Sequence, residues 1–324
     1  MSERILVIGA GMAGLTAAST LAGRGFSVTV FDKGRGAGGR MATRRIESGA
    51  EFDHGAQYVT ARGLGFRQAV EGWIRSGAVQ PWKPTLAQFR YGRAAPLDDE
   101  EPWFAGAPRM SSWLGALAAP LDVRWNTRVA TLAREDGQWS AVDEWGNDLG
   151  RYDIAIVAVP APQALPFLGH APALARALGL VRMAPCWAAM VAFEEPLGVA
   201  FGAAKLEGAG LAWVAQNSAK PGRDPAVETW VLHASPDWSR AYYDADQTEA
   251  AQRLLAEFRS LLGLTHPVQS LRAHRWRYAR VDQPLGLPYL WDGTVRLGLC
   301  GDWCIGARVE SAWESGDALA MAVA

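Results

Sequence analysis

The first residues with an evident chemical use are three glycines and an aspartate near the start of the chain. Gly9, Gly11 and Gly14 stand between an apolar run and a helix-forming stretch, predicted as a strand and as a helix over residues 15–24. In that setting the first glycine permits a tight turn, the second lets the backbone approach a pyrophosphate, and the third lets helix and strand pack closely. Asp32 ends a second apolar run, where a carboxylate can bind a ribose. These residues predict a dinucleotide-binding unit whose helix N-terminus faces the phosphates.

A second glycine cluster favours FAD over NAD as the bound dinucleotide. Residues 34–39 contain four glycines, and Arg40 follows directly. Two glycine clusters suggest that the ligand has more phosphate or flavin edge than a single glycine turn can contact. Arg40 would offer a forked cation to a phosphate oxygen, which a lysine does less well. The alternative interpretation is a flexible basic loop.

The C-terminal residues are predicted to return to the same cofactor. An apolar run over residues 295–299 leads to Gly301 and Asp302, and a helix is predicted over 309–322. This order places Asp302 beside the ribityl or phosphate chain. The helix N-terminus, near Val309 and Glu310, would point at the pyrimidine edge of the flavin and stabilise negative charge on reduction.

A third candidate segment covers residues 52–60. Gly55 and Ala56 are small enough for a planar ring to lie against the backbone, while Gln57 and Tyr58 add an amide and a phenol. His54 could be a catalytic base, but its turn context beside an aspartate favours a structural hydrogen bond.

Length and composition indicate an ordinary globular protein with two packed domains, or with one large domain and an inserted layer. The chain has 324 residues, 49% hydrophobic and 20% charged, and a net charge of -1, so we expect no nucleic-acid partner. Three scattered cysteines indicate neither a disulfide framework nor a zinc site, and we expect no metal. No apolar run is long enough to span a membrane, and the first strand leaves no room for a signal peptide. We expect a cytoplasmic protein.

The patterns predict an α/β fold, with an FAD-binding Rossmann-like domain and a second, strand-rich substrate domain. Helices are predicted over 62–75, 110–118 and 163–178, and the last two belong to the first domain together with an antiparallel meander over 123–145 and a buried parallel strand over 152–159. Ser111 or Ser112 would cap the second of these helices. The acidic residues 98–101 are predicted to be a solvated loop.

The second domain is predicted from strands over 186–194, 210–216 and 228–234, a hairpin at 89–93, and a helix beginning near Gln247. A basic, aromatic strand over 272–280 would cross between the domains. We assign 1–60, 106–180 and 281–324 to the FAD-binding domain, and 61–105 and 181–280 to the substrate domain. Most of the fifteen tryptophans follow residue 70; core packing explains most of them, and some could line a pocket for a flat ligand.

With these segments in view, the chain resembles the renalase family, specifically its bacterial members, within the flavin amine-oxidase-like superfamily. The resemblance runs end to end and rests on five segments: residues 32–41, 55–58, 220–224, 274–280 and 300–310. The Gly-Ala-Gln-Tyr, Lys-Pro-Gly-Arg-Asp and Cys-Gly-Asp-Trp-Cys sequences are its most specific parts. His54 departs from it, since an apolar residue is expected there.

The resemblance implies a p-hydroxybenzoate hydroxylase-like two-domain fold with non-covalent FAD. It implies an oxidase that takes hydride from 2- or 6-dihydro isomers of β-NAD(P)H, giving β-NAD(P)+, and H2O2 when O2 reoxidises the flavin. The candidate cofactor-binding residues are Gly9, Gly11, Ala13, Gly14, Asp32, Lys33, Gly39, Arg40, Ala56, Gln57, Tyr58, Val129, Asp302, Val309 and Glu310.

Such a reaction needs positioning more than acid–base catalysis, because a dihydronicotinamide loses only hydride. The substrate-pocket candidates are Gln57, Tyr58, Thr60, Trp187, His233 and Arg280. Two alternatives remain. A flavin-containing amine oxidase often places a lysine by the flavin, and only Lys205 and Lys220 could serve in the second domain; the Pro-Gly turn after Lys220 disfavours it. A non-catalytic, escort-type binding protein would lack a complete flavin site.

Overall fold

The computed structural model describes residues 2–46 and 49–323, and its first layer is a six-stranded, mostly parallel sheet. The strands of this sheet, in spatial order, are Leu290–Asp292, Leu297–Leu299, Ile154–Val157, Arg4–Ile8, Ser27–Phe31 and Asp122–Arg124. Arg4–Ile8 is central and pairs in parallel with Ile154–Val157 and Ser27–Phe31. Its apolar residues are buried on both faces, as expected for a strand covered on both sides.

Both faces of this sheet are covered. On one face the helices Met12–Gly23 and Val309–Ala322 pack against each other, with Leu64–Arg75 and Met110–Ala118 nearby. The other face carries a three-stranded antiparallel meander, Val129–Glu135, Gln138–Asp143 and Asp148–Tyr152. The predicted Rossmann-like unit, its meander and its terminal helix are confirmed.

The second large sheet has seven strands. In spatial order its strands are Val268–Gln283, Arg182–Phe193, Thr229–Ala234, Leu211–Gln216, Ala203–Glu207, Leu86–Arg90 and Arg93–Pro96. The long strand Val268–Gln283 continues beyond this sheet, and its Val281 packs in the core beside the six-stranded sheet. It therefore links the two sheets, as the basic aromatic segment predicted.

The helix Gln247–Leu262 covers the seven-stranded sheet and follows from its sequence. Asp246 caps it, because its Oδ1 accepts hydrogen bonds from the backbone N–H groups of Thr248 and Glu249 at 2.7 and 2.9 Å. Its buried face carries Ala250, Ala251, Leu254, Leu255 and Phe258. The helix ends at Gly263, whose left-handed conformation few other residues adopt without strain.

Smaller elements complete the chain. The two-stranded pairs are Thr43–Arg45 with Glu51–Asp53 and Val79–Pro81 with Phe104–Gly106. The short helices are Ala161–Ala164, Pro172–Leu178, Pro236–Ala241 and Asp302–Ile305, with single 3-10 turns at Gly39–Met41, Leu165–Phe167 and Asn217–Ala219.

No helix among residues 2–46 and 49–323 has the length and apolarity needed to cross a lipid bilayer.

Three sequence-based expectations were wrong in detail. The helix predicted over 163–178 is broken into pieces, since Pro166 and Pro172 interrupt helical hydrogen bonding. Val123 is not in the meander but in an edge strand of the six-stranded sheet, paired with Val30. The helix Met110–Ala118 is not capped by its own serines.

Its cap comes from elsewhere in the chain. The N–H of Met110 donates to Asp53 at 3.1 Å, and the N–H of Ser111 donates to the Thr43 hydroxyl at 3.4 Å. A cap supplied by a distant segment leaves no local pattern in the sequence. The assigned domain boundaries stay a prediction.

Candidate active site

A cavity of about 510 Å³ lies where the two sheets meet. Segments from both sheets line it, including the first glycine turn, residues 55–58, the strand Thr229–Ala234 and the start of the C-terminal helix. Ten residues selected from the sequence lie in its wall: Gly11, Ala13, Arg40, Ala56, Gln57, Tyr58, His233, Arg280, Asp302 and Val309. The fold thus brings together residues that are up to about 300 positions apart in sequence.

The first glycine turn has the shape that a dinucleotide needs. Gly9 has a φ of 107°, and a Cβ atom there would lie 2.7 Å from the carbonyl oxygen of Ala158. A Cβ on Gly14 would overlap the carbonyl oxygen of Gly9. A Cβ on Gly11, in contrast, would meet no protein atom within 4 Å, and Gly11 lines the cavity. Gly9 and Gly14 serve internal packing, whereas Gly11 leaves room for a group from outside the protein, which fits a pyrophosphate.

Asp32 joins the two glycine-rich segments. Its carboxylate accepts hydrogen bonds from the N–H groups of Ala10 at 2.7 Å and Gly34 at 2.6 Å. The N–H of Thr127 donates to the Asp32 carbonyl, which brings the start of the strand Val129–Glu135 alongside.

Three other cofactor candidates surround this junction without lining the cavity. Val129 is buried in the core beside the meander. Lys33 is exposed, with Nζ 3.4 Å from Gln163. Gly39 lies close to Gly11, since a Cβ on it would be 3.6 Å from the Gly11 Cα.

Arg40 and Asp302 pair with each other in the cavity wall. The guanidinium donates two hydrogen bonds to the carboxylate, at 2.6 and 2.7 Å. The sequence had assigned each residue its own contact with the cofactor. Their pairing means that the second glycine cluster and the Gly-Asp turn form one polar unit.

Glu310 is a structural anchor at the start of the C-terminal helix and does not line the cavity. It is 3% exposed, and its Oε1 accepts hydrogen bonds from the N–H groups of Arg62 and Gly63 at 2.8 and 2.6 Å. Its other oxygen lies 2.6 Å from the guanidinium of Arg308, which also donates to Thr60 at 2.8 Å. Thr60 therefore lies behind the cavity wall. Arg308 lines the cavity, although it was not among the site residues expected from the sequence.

Trp187 does not lie in the cavity wall. Its side chain is 1% exposed in the core of the seven-stranded sheet, and its indole N–H donates to the Tyr242 carbonyl at 2.9 Å. The adjacent residue, Cys186, lines the cavity instead. Successive side chains of a strand point to opposite faces of the sheet, so Cys186 faces the cavity while Trp187 faces the core.

The histidines near the cavity form one cluster. The carbonyl of His54 accepts a hydrogen bond from the Trp276 indole at 2.9 Å and lies 3.2 Å from Nε2 of His233. The ring of His54 is 5.0 Å from that of His274 and 4.8 Å from that of Trp276, between ring centroids. A carbonyl can only accept, so Nε2 of His233 carries the proton.

These histidines are uncharged at neutral pH. Burial lowers the pKa of His54 to about 3, and it lowers the pKa values of His233 and His274 to about 4. The contacts to Trp276 and His233 are made by the backbone carbonyl of His54 and not by its ring, so the structural role expected for its side chain stays a prediction.

Tyr58 is a neutral phenol within an aromatic group. Its ring stacks on Trp103 with centroids 3.7 Å apart and lies 5.5 Å from Trp213, which also lines the cavity. Burial raises the pKa of Tyr58 to about 12. The tryptophan-rich composition thus contributes both core packing and cavity wall.

Lys220 is fully buried directly behind Gln57. Its Nζ donates to Oε1 of Gln57 at 3.1 Å and lies 3.3 Å from the Asp53 carboxylate, which also pairs with Arg223. Burial lowers the pKa of Lys220 to about 8, while Asp53 opposes that shift. Burial alone would raise the pKa of Asp53, but the two cations lower it to about 2. Asp53 and Lys220 are therefore both charged at neutral pH.

The acidic segment 98–101 is not simply solvated. Glu101 pairs with Arg62 at 2.6 Å, and Asp99 lies 3.5 Å from Lys205. Both carboxylates contribute to the raised pKa of Tyr58, so this segment lies close to the cavity. The sequence showed a charge run but not the cations that meet it.

Known proteins share this fold. The NAD(P)-binding Rossmann-like domain matches residues 7–68. Hydroxyneurosporene desaturase from Rubrivivax gelatinosus is 44% identical over 61 residues, which cover 19% of this chain and 11% of that protein. This chain therefore corresponds to only a small part of that relative.

Two solved structures align along the whole chain. A protein described as a protoporphyrinogen oxidase from Exiguobacterium aligns with a TM-score of 0.79 at 13% identity, covering 100% of this chain and 99% of that one. A single-substitution variant of putrescine oxidase aligns with a TM-score of 0.74 at 13% identity and the same coverage. At this identity the likeness concerns the fold alone.

One family match covers the greater part of the chain. The family of flavin containing amine oxidoreductases matches residues 99–324, well over half of the protein. The match agrees with a cavity whose open glycine turn suits a dinucleotide. The chain belongs to the flavin containing amine oxidoreductase family, and this membership supports FAD as its cofactor.

Proposed function

We propose that this protein is an oxidase of the 2- and 6-dihydro isomers of β-NAD(P)H, with β-NAD(P)+ and H2O2 as products. The observation that carries the proposal is the charge of the cavity wall. Arg40, Arg280 and Arg308 line it; Arg40 pairs with Asp302 and Arg308 with Glu310, which leaves Arg280 as the cation that no carboxylate balances among the described residues. Among the described residues of the wall there is no lysine. Such a wall favours an anionic ligand, as a dinucleotide is, over a cationic amine.

Arg280 is the cation best placed for the substrate. Its side chain is exposed, and no ion pair to it is found within residues 2–46 and 49–323. An unpaired guanidinium on a cavity wall can make forked hydrogen bonds to a phosphate. Arg40 and Arg308 are held by carboxylates, so Arg280 would bind a substrate phosphate or ribose.

The neutral side chains suit the chemistry. A dihydronicotinamide that loses hydride becomes an aromatic cation, and no proton has to be removed. Bound FAD would supply the hydride acceptor, and its reoxidation would convert O2 to H2O2 with one proton from solvent. The uncharged His233 and Tyr58 add no positive charge of their own beside the ring while it becomes cationic, and they shape the pocket. Their contribution is orientation, which can supply a large part of a rate enhancement.

The renalase resemblance supports the same proposal. Its two most specific cavity segments, Gly-Ala-Gln-Tyr at 55–58 and Cys-Gly-Asp-Trp-Cys at 300–304, both contribute residues to the wall. Non-covalent attachment of FAD belongs to this proposal. So does the use of a small-molecule dinucleotide and O2 as partners.

A steady-state assay tests the proposal. Oxygen uptake and H2O2 release are measured with each dihydro isomer, with β-NADH and with a panel of monoamines and polyamines. We expect turnover of the 2- or 6-dihydro isomers, with one β-NAD+ formed for each H2O2. Turnover of an amine at a higher kcat/KM would overturn the proposal. Protein that purifies without flavin would instead favour an escort-type binding role.

One observation favours a second candidate, an amine oxidase. Tyr58 and Trp213 both line the cavity, 5.5 Å apart and inclined by 41°, and such an aromatic pair can hold a substrate amine. Family membership is consistent with this activity. Aromatic rings can also stack on a nicotinamide, so this pair does not distinguish the two substrates. The positive charge of the cavity wall favours the dinucleotide over the amine.

A further inference from the structure

The buried cluster behind Gln57 carries an uncompensated positive charge. Lys220 and Arg223 both contact a single carboxylate, that of Asp53, and these side chains are at most 5% exposed. Two cations and one anion leave a net charge of +1. A buried charge is costly unless an opposite charge pairs with it, so a buried cation without its own counter-ion suggests a functional role.

The surroundings of Lys220 offer no second anion within the described residues. Its Nζ contacts Asp53 and the Gln57 amide oxygen, and it lies 5.4 Å from the ring of Trp82. The charged or titratable groups that face it are Asp53, Arg223 and His233, whose own pKa it lowers. The excess charge therefore acts in a low-dielectric region beside the cavity.

Gln57 connects that charge to the cavity. Its amide nitrogen donates to the carbonyls of Asp53 and Gly55, and its amide oxygen accepts from Lys220. Both N–H groups of the amide and one lone pair of its oxygen are thus bonded to the protein. Gln57, which lines the cavity, is thus fixed in a single orientation with a cation directly behind it.

From this arrangement we infer that Lys220 is a positioning residue, which orients Gln57 and raises the reduction potential of bound FAD through its charge. A flavin gains negative charge when it is reduced, and a nearby fixed cation stabilises that charge more strongly in a dry site than in water. The role differs from that of a lysine in contact with the flavin, since Lys220 is behind the wall.

Neutralising Asp53 does not require Lys220. Arg223 already pairs with Asp53, and the same carboxylate accepts hydrogen bonds from Thr43 at 2.6 Å and Met110 at 3.1 Å. Lys220→Met therefore leaves a balanced Asp53–Arg223 pair and strands no charge. A variant that folds is the expected result.

The test is the midpoint potential of bound FAD, measured with reference dyes and without substrate. At pH 7 we expect Lys220→Met to raise the ratio of oxidised to reduced FAD, at a fixed dye potential, by about tenfold, which corresponds to a midpoint about 30 mV lower. Lys220→Arg should keep the wild-type value. Lys205→Met, which removes the half-buried lysine paired with Asp99, is the matched control and should also leave the potential unchanged.

The pH dependence separates electrostatics from packing. The difference between the wild type and Lys220→Met should shrink as the pH rises through the pKa of Lys220, about 8, because the lysine then loses its charge. A flavin-loaded Lys220→Met protein with wild-type potential at pH 7 would overturn the inference. If that variant does not fold, the wild type should show a break in potential near pH 8 that Lys220→Arg lacks, and its absence would overturn the inference equally. No substrate enters these measurements, so they are independent of the proposed reaction.

Discussion

Arg40 and Asp302 are 262 positions apart in sequence, and their side chains form a two-point ion pair in the wall of the cavity. This pair joins the second glycine cluster to the turn that precedes the C-terminal helix. It therefore couples the two ends of the chain at the site where FAD is expected to bind. Planar forked pairs of this kind carry orientation as well as energy.

The first prediction concerns this pair. Arg40→Lys keeps the charge but cannot make two parallel hydrogen bonds, so we expect FAD affinity to fall by about tenfold, the loss of roughly one charge-assisted hydrogen bond. The dissociation constant is measured by recovery of flavin fluorescence on dilution. Arg35→Lys, in the same segment but exposed, should leave it unchanged. Equal affinity in both variants would show that the pair does not organise the site.

The second prediction separates two glycines of the first turn. Gly14→Ala should lower the free energy of unfolding by about 1–3 kcal/mol, because its Cβ overlaps the Gly9 carbonyl. Gly11→Ala has room within the protein, so its apoprotein should unfold like the wild type while FAD binding is weakened. Urea unfolding of the apoproteins and FAD titration measure the two effects. Tight FAD binding by Gly11→Ala would contradict the assignment of the pyrophosphate to this turn.

The third prediction concerns acid stability. The folded pKa values of His54, His233 and His274, about 3 to 4, lie below the ordinary value of 6.5. As the pH falls below 6.5, the unfolded chain takes up protons that the folded chain does not, so stability present above pH 6.5 is lost towards pH 4. Each buried histidine adds at most about 1.4 kcal/mol per pH unit to this slope, and the partly exposed His274 adds less.

His54→Leu tests that slope, because it removes one of the three histidines. Urea unfolding at pH 7, 6 and 5 should give a shallower loss of stability for His54→Leu than for the wild type. His170→Leu removes an exposed histidine and should keep the wild-type slope. Identical slopes in all three proteins would mean that the cluster does not resist protonation.

The fourth prediction concerns substrate binding. Arg280→Ala should raise KM for a dihydronicotinamide dinucleotide by about tenfold with little change in kcat, since Arg280 would hold a part of the substrate that does not react. Arg277→Ala, three residues earlier in the same strand, is exposed and outside the cavity wall, and it should behave as the wild type. A loss of kcat without a change in KM would instead place Arg280 at the reacting ring.

Sequence patterns predicted the regular elements better than the side-chain network of the site. The helix Gln247–Leu262 begins at the predicted residue because its cap, Asp246, is local. The cap of Met110–Ala118 comes from Thr43 and Asp53, and no local pattern reveals it. Trp187 and Cys186 show the same limit, because alternation along a strand does not tell which face meets the cavity.

The charge network was the least predictable part of the site. The sequence marked Lys220 as part of the Lys-Pro-Gly-Arg-Asp segment and as a candidate amine-oxidase lysine, but not its contact with Gln57, which spans 163 positions. Arg40, Asp302, Glu101 and Arg62 were each visible as charges, but their partners depend on how distant segments pack. Motif spacing identifies a cofactor well when one turn and one helix bind it, and it identifies long-range pairs poorly.

The most direct test of the proposed function is an anaerobic single turnover of the FAD-loaded protein. Flavin absorbance is followed after mixing with 6-dihydro-NAD, with β-NADH and with putrescine at equal concentration. We predict rapid bleaching by the 6-dihydro isomer with stoichiometric β-NAD+, and far slower bleaching by the other two. Rapid bleaching by putrescine, with the dihydro isomer inert, would contradict the account.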